Sequence, residues 1–347
     1  MRAQDWTLSL VVLAAGCSVI VDNKLEGKPL SATDVGDGDG DGDVGDGDVG
    51  DGDAGHNGSD AATGDGDMMA GDGGHVHDGG PPGSTRADVQ VCLGATHGCR
   101  LFPDDELACW GNNDEFQTSL SGPGFKQVAC GDYHTCALSN DGKISCAGRN
   151  QDGQRTAPSG MFLAVAAGDA HSCALKPDHT AQCWGKNSDG QASAPAGVAF
   201  TTLAAGGGFS CGIRMSDSKI QCWGSSASNR LKAPTDVTFK ALDLGPDYGC
   251  GIAGDNSVRC WGSVSYAAPD VQGAIAIAAG SYACAVLDTK GATCWSPQPA
   301  VVLTNMYLNV AAGPNGFLLT PVTGEPEFHP MEEPAYGVPP IPFYEGL

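Results

Sequence analysis

One glycine governs what this chain can fold into. It stands at Gly94, Gly131, Gly168, Gly206, Gly245, Gly280 and Gly313, with spacings of 37, 37, 38, 39, 35 and 33 residues. Around it a phrase returns, clearest in the third copy as VAAGDAHSCALKPDHTAQCWGKNSDGQ over 165–191. The phrase reads as a short strand, a tight loop, a hairpin and a polar return loop. A period this regular means one supersecondary unit stacked on its own copies, because a single unit cannot bury its apolar face alone. Many short strands at even spacing predict an all-β fold, a propeller or another closed β ring.

The cysteines follow from the hairpin. Cys173 and Cys183 lie ten residues apart with Asp178 midway. Antiparallel pairing then sets Cys173 opposite Cys183, Leu175 opposite Ala181 and Lys176 opposite Thr180, leaving Pro177-Asp178-His179 as the loop. Directly opposed residues are close enough for a disulfide. The same register pairs Cys99 with Cys109, Cys136 with Cys146, Cys250 with Cys260 and Cys284 with Cys294. In the fourth copy the gap is eleven, Cys211 to Cys222, and the extra residue goes into the turn near Ser216-Asp217. Zinc sites want close pairs two to four residues apart, and these spacings do not supply them, so no metal is expected.

Fifteen cysteines, twelve of them in hairpin disulfide register, point to an oxidising compartment outside the cytosol. One cysteine, Cys17, stands apart. It follows a weakly basic start (Arg2) and the apolar run TLSLVVLAAG, which is too short to span a bilayer. Leu13-Ala14-Ala15-Gly16-Cys17 resembles the lipobox of bacterial lipoproteins. The resemblance implies a signal peptide over 1–16, cleavage before Cys17 and lipid attachment to it, hence an exported chain held in the cell envelope.

Residues 17–86 read as a disordered tether. Fourteen aspartates and no Lys, Arg or Glu lie between Asp34 and Asp78, so −14 of the net charge of −23 sits there and −9 is left for the remainder. A self-repelling Gly/Asp chain buries too little apolar surface to offset its ordering entropy. A calcium loop is the competing reading, since Asp37, Asp39, Asp41 and Gly42 match the opening of an EF-hand loop with Asp48 at its end. His75 and His77 make a loose metal-binding pair at best. A chain this acidic repels phosphates, so no nucleic-acid partner is expected.

From Ala87 onward, VACGDYHTCALSNDGKISCAGRNQDGQ (128–154) and the phrase at 165–191 resemble repeats of the regulator-of-chromosome-condensation family. That resemblance implies a seven-bladed β-propeller over 87–330, followed by a Pro-rich tail at 331–347. Six copies are full. In the seventh, Phe317 and Phe328 lie eleven apart, and an apolar cross-strand pair between them is expected to replace the bridge. Cys92 and Cys130, on the strands entering Gly94 and Gly131, are expected to staple copies one and two.

His97, His134 and His171 share one slot, which Phe209, Tyr248 and Tyr282 fill in the next three copies. A slot that accepts any flat ring is a packing slot, with an imidazole hydrogen bond expected toward the Asp169 loop. Trp110, Trp184, Trp223, Trp261 and Trp295 follow the second cysteine, with Ala147 in the remaining copy, and resemble blade-packing tryptophans. No G-x-S-x-G, H-E-x-x-H, phosphate loop or dinucleotide fingerprint occurs.

The sequence therefore reads as a non-catalytic, cofactor-free monomer. It is membrane-associated through its lipid alone, and its propeller binds a protein or glycan. The resemblance implies one alternative, guanine-nucleotide exchange, as in the family's nuclear founding member; analogy with unrelated propellers supplies a second, a glycan site or enzyme in the propeller mouth.

Overall fold

The computed structural model describes residues 90–263, 269–296, 301–303, 307–313, 315–321 and 327–330. Seven small antiparallel sheets follow one another along the chain, each made of consecutive strands. The third shows the plan: Ala164–Ala167 innermost, His171–Leu175 in the middle and Ala181–Gly185 outside. In the first copy a bridge between Leu107 and Gly122 marks a fourth, outermost position, and in the third a bridge between Thr180 and Ala199 does the same. In the sixth, Val301–Leu303 adds a full fourth strand.

The inner strands carry the ring. They are Gln90–Leu93, Phe125–Cys130, Ala164–Ala167, Phe200–Ala205, Phe239–Leu244, Ala274–Ala279 and Tyr307–Gly313, and each contacts the next, with the seventh contacting the first. The fold is a seven-bladed β-propeller. Small residues at their ends allow the approach. A Cβ on Gly131 would overlap the carbonyl oxygen of Gly168, and one on Gly168 would overlap that of Gly206. Each blade thus leans its backbone directly on its neighbour, which only glycine permits.

Closure uses no exchanged strand among the described residues. Val91 and Leu93 of blade one pack with Ala311 and Leu318 of blade seven, and Asn315 Nδ2 donates to the Ala95 carbonyl at 2.6 Å. Blade seven also corrects an expectation. Phe317 lies opposite His329, not Phe328, and the two rings stack with centroids 4.9 Å apart. The residue in the cysteine slot is Leu318, which pairs with Ala311 as Cys211 pairs with Ala204, and it is Leu318 that faces Phe328 in the register. Counting from the glycine, rather than matching the cysteine spacing, gives this alignment.

Cysteine pairs occupy the middle and outer strands of six blades. The structure joins Cys99–Cys109, Cys136–Cys146, Cys173–Cys183, Cys211–Cys222, Cys250–Cys260 and Cys284–Cys294, with Cα atoms 4.0–4.1 Å apart. Cys92–Cys130 joins the inner strands of blades one and two at 5.5 Å. The eleven-residue gap of blade four adds its extra residue to the turn, where Ser218 takes a left-handed φ of 55°. Seven bridges suggest an oxidising, extracytoplasmic setting. Cys17, the Asp-Gly segment, His75 and His77 lie outside the described residues.

Candidate functional site

The ring slot lies in the seams between blades. His97, His134 and His171 begin the middle strands and are almost wholly buried. Each imidazole reaches one blade forward: His97 Nε2 lies 2.8 Å from Thr135 Oγ1, His134 Nε2 2.8 Å from Ser172 Oγ, and His171 Nε2 2.8 Å from Ser210 Oγ. The partner is a hydroxyl of the next blade, not the Asp169 loop. Thr135 donates its proton to the Gln117 carbonyl at 2.7 Å and Ser210 donates to that of Gln191 at 3.0 Å. Each hydroxyl has one proton, so it accepts from the imidazole, which fixes His97 and His171 as Nε2–H tautomers. Nδ1 of His97 and of His134 is buried without a partner. A bare lone pair there costs less than an orphaned N–H, which puts His134 in the same tautomer.

Burial holds all three rings neutral. Desolvation lowers His97 and His171 to about 4, and lowers His134 to about 3 with help from its two neighbouring imidazoles. A neutral ring with Nε2–H committed, in a seam with no opening to solvent, has no substrate to exchange a proton with. The remaining slots follow the same packing rule. Phe209 has Gly249 one blade on, Tyr248 donates its hydroxyl to the Gly280 carbonyl at 3.0 Å, and Tyr282 meets Phe317 edge-on at 5.7 Å.

The tryptophans knit the same seams from outside. Trp184 Nε1 donates to the Gln154 carbonyl, Trp223 to Gln191 and Trp261 to Arg230, each belonging to the return loop of the preceding blade. Side chains of Gln117, Gln154 and Gln191 turn back to accept from Glu115 N, Asp152 N and Asp189 N. The glutamine that ends the return loop of the first three repeats is therefore a loop clamp.

With these groups committed to the seams, chemistry is left to the surfaces. On the hairpin face, Asp141, Asp178, Asp217 and Asp255 fold their own turns by accepting from backbone N–H groups two residues on. Hydrogen bonds to Lys143 and Ser139 hold Asp141 low, at about 2.

The opposite face surrounds the central channel, a cavity of about 210 Å³ to which all seven inner strands contribute. Asp132 and Asp169 sit at its mouth, each directly after the ring glycine. Burial, then repulsion from Asp169, raises the Asp132 carboxyl to about 7, with Arg149 opposing. Burial raises Asp169 as well, against Arg230 and Lys186. Beside them Arg149 binds Glu115 through Nε and Nη2 at 3.2 and 2.9 Å and stacks 4.2 Å over the Tyr133 ring. Phe116 stands next to Glu115 at 64% exposure with φ of 65°.

Sequence reasoning passed over these mouth residues because their signal is a departure from the repeat. Phe116 occupies the position of Gly153 and Gly190, and Asp132 and Asp169 stand where other copies have Ala95, Gly207 or Pro246. A buried acid, Asp243, was also missed. Its carboxylate accepts from Leu244 N and, across a seam, from Ala279 N at 2.8 Å.

The comparisons agree with this geometry. The family model for the regulator of chromosome condensation (RCC1) repeat matches residues 125–154 and 162–191. The ectodomain of the Physcomitrella patens receptor kinase CR4 is similar at 26% identity and a TM-score of 0.53, covering 63% of this chain and 65% of that one. The CRINKLY WD40 ectodomain of the Arabidopsis thaliana receptor kinase ACR4 is similar at 28% identity and 0.52, covering 62% and 81%. Yeast RCC1 (Prp20), in its structure with Kap60, shares the fold at 16% identity and 0.54, covering 64% and 77%. The chain spans just under two thirds of the CR4 ectodomain, and no curated protein matches it. With its glycine recurring in all seven blades and a cysteine pair in six of them, the chain is built of repeats similar to the RCC1 repeat and folds as a seven-bladed propeller.

Proposed function

We propose that this propeller is a non-catalytic binding module, displayed outside the cytosol and tethered to the cell envelope through a lipid on Cys17, that recognises a protein through its loops. The observation that carries it is the commitment of the imidazoles. The three histidines of the blades' ring slot are buried, neutral and spent on hydroxyls of the next blade, so they serve packing and leave the loops for recognition. Seven disulfides make the ring a rigid platform, which lowers the ordering cost of binding. The similarity to two receptor ectodomains supports an extracellular recognition role.

Two measurements test the reading. Cys17→Ser should abolish palmitate labelling and move the protein from the membrane to the soluble fraction; unlabelled protein that still pellets contradicts the anchor. The oxidised propeller should bind its partner with an affinity that surface substitutions on the loops change and that a fold-preserving seam variant, His171→Phe with Ser210→Gly, leaves alone. Loss of binding in the folded seam variant would put chemistry back in the ring slot.

A further inference from the structure

Two departures from the repeat meet at one place. In blades three and four, Trp184 and Trp223 cover the preceding return loop and donate to its glutamine carbonyl. Blade two has Ala147 in that position, so the return loop of blade one, 112–119, lacks the cover. The same loop carries Phe116 where Gly153 and Gly190 stand in its counterparts. Of the eight described non-glycine residues with left-handed φ, Phe116 is the apolar one; the rest are Asp, His, Ser, Asn or Lys in turns. A bulky side chain held in that conformation is a strained choice that packing does not explain, since its ring is 64% exposed.

In place of the tryptophan, Arg149 ties the loop down. It reaches Glu115 on one side and lies flat on Tyr133 on the other. Tyr133 is followed inward by Asp132, whose carboxylate accepts no hydrogen bond among the described residues, and then by Asp169 across the mouth. A strip therefore runs from an exposed aromatic ring, over a clamped arginine, to a pair of adjacent carboxylates. Arg149 is held by Glu115 and Tyr133, while the two carboxylates repel each other. The complement of this strip is a loop with an ammonium or guanidinium at one end and a large apolar side chain at the other.

We propose that the strip from Phe116 to Asp132 and Asp169 docks a protein loop that places a lysine or arginine in the channel mouth and an apolar side chain on Phe116. The inference rests on the binding-module reading and gives it a face and a partner chemistry. Phe116 acts as the apolar anchor, and the carboxylate pair selects the charge and orients the loop.

The test is selection of disulfide-cyclised random peptides, displayed on phage, against the full oxidised protein. Enriched peptides should carry Lys or Arg beside a large apolar residue. Their binding should weaken by about tenfold or more in Phe116→Gly and in Asp132→Asn with Asp169→Asn, the usual effect of removing a central anchor. Met215→Ser, an exposed residue on the hairpin face, should leave binding unchanged. Phe116→Gly restores the residue that the left-handed backbone favours, so its thermal midpoint should hold or rise, which separates lost binding from lost fold. Peptides that ignore Phe116→Gly, or that are enriched in acidic residues, overturn the docking strip and leave loop binding elsewhere intact. A library that yields no binder overturns the strip and the binding-module reading together.

Discussion

His171 Nε2 lies 2.8 Å from Ser210 Oγ, and the hydroxyl proton of Ser210 is already given to the Gln191 carbonyl. The imidazole must donate, and a side chain of blade three is thereby locked to a strand of blade four. The same relation runs from His97 to Thr135 and from His134 to Ser172. Where the ring is Phe209 and cannot donate, the residue one blade on is Gly249.

That pairing predicts a coupled mutant. His171→Phe alone removes the donor and pushes a ring edge toward Ser210, which should cost ~1 kcal/mol for the hydrogen bond plus some crowding. Adding Ser210→Gly recreates the blade-four arrangement and should recover most of the crowding loss. His171→Ala should cost more, ~3 kcal/mol, because it leaves a gap in a seam that backbone contact prevents from closing. Urea midpoints of the three variants decide it; additive effects of the first two substitutions would refute the pairing.

Acid should loosen the seams. Folded His97, His134 and His171 titrate at about 4, 3 and 4, whereas unfolded imidazoles titrate near ~6.5. Between those values the unfolded chain binds more protons, so the contribution is complete above ~6.5 and is lost as pH falls toward 3. Asp132 has the opposite sign. With its folded value raised to about 7, it is protonated first in the fold, and falling pH relieves it. Asp132→Asn should therefore stabilise the protein at about pH 8 and change little near pH 4.5. His134→Phe with Ser172→Gly should flatten the acid slope. Stability measured against pH in both variants checks the two signs independently.

The glycine ring should tolerate no side chain. Gly168→Ala drives a methyl group into the Gly206 carbonyl and the His171 ring, where neither can move without opening a seam, so a loss of ~3 kcal/mol or more is expected. Gly153→Ala meets open space and carries only the strain of a left-handed φ of 84°, about 1 kcal/mol. Equal effects at the two sites would mean the blades are not in backbone contact.

Each hairpin bridge closes a short loop in the unfolded chain, and removing Cys99–Cys109 by double serine substitution should cost ~3 kcal/mol. Peptide mapping without reductant should return six pairs within a repeat and Cys92–Cys130 between the first two. Free cysteines, or pairs between distant blades, would contradict the register.

Much of this architecture was legible because a repeat states its rules seven times. The period gave the blade number, and the midpoint of Cys173 and Cys183 gave the hairpin register. Partners across seams were harder to read. Ser172 and Ser210 are undistinguished in sequence, and only the blade-to-blade offset of 38 or 39 residues brings them to His134 and His171. The seventh blade was misaligned because cysteine spacing was used where no cysteine exists; Gly313 is the better origin, placing Leu318 in the bridge position. Phe116 and the Asp132–Asp169 pair escaped notice because reading for the consensus discards departures from it, and here the departures cluster at one mouth.

The central claim is that the histidines belong to the seams, and imidazole nitrogen NMR tests it most directly. At about pH 5, His97, His134 and His171, three of the eight histidines, should remain neutral with the proton on Nε2, in slow exchange with solvent. If His97, His134 and His171 instead titrate near ~6.5 and exchange freely, the rings face solvent, and both the locked seams and the non-catalytic reading fail.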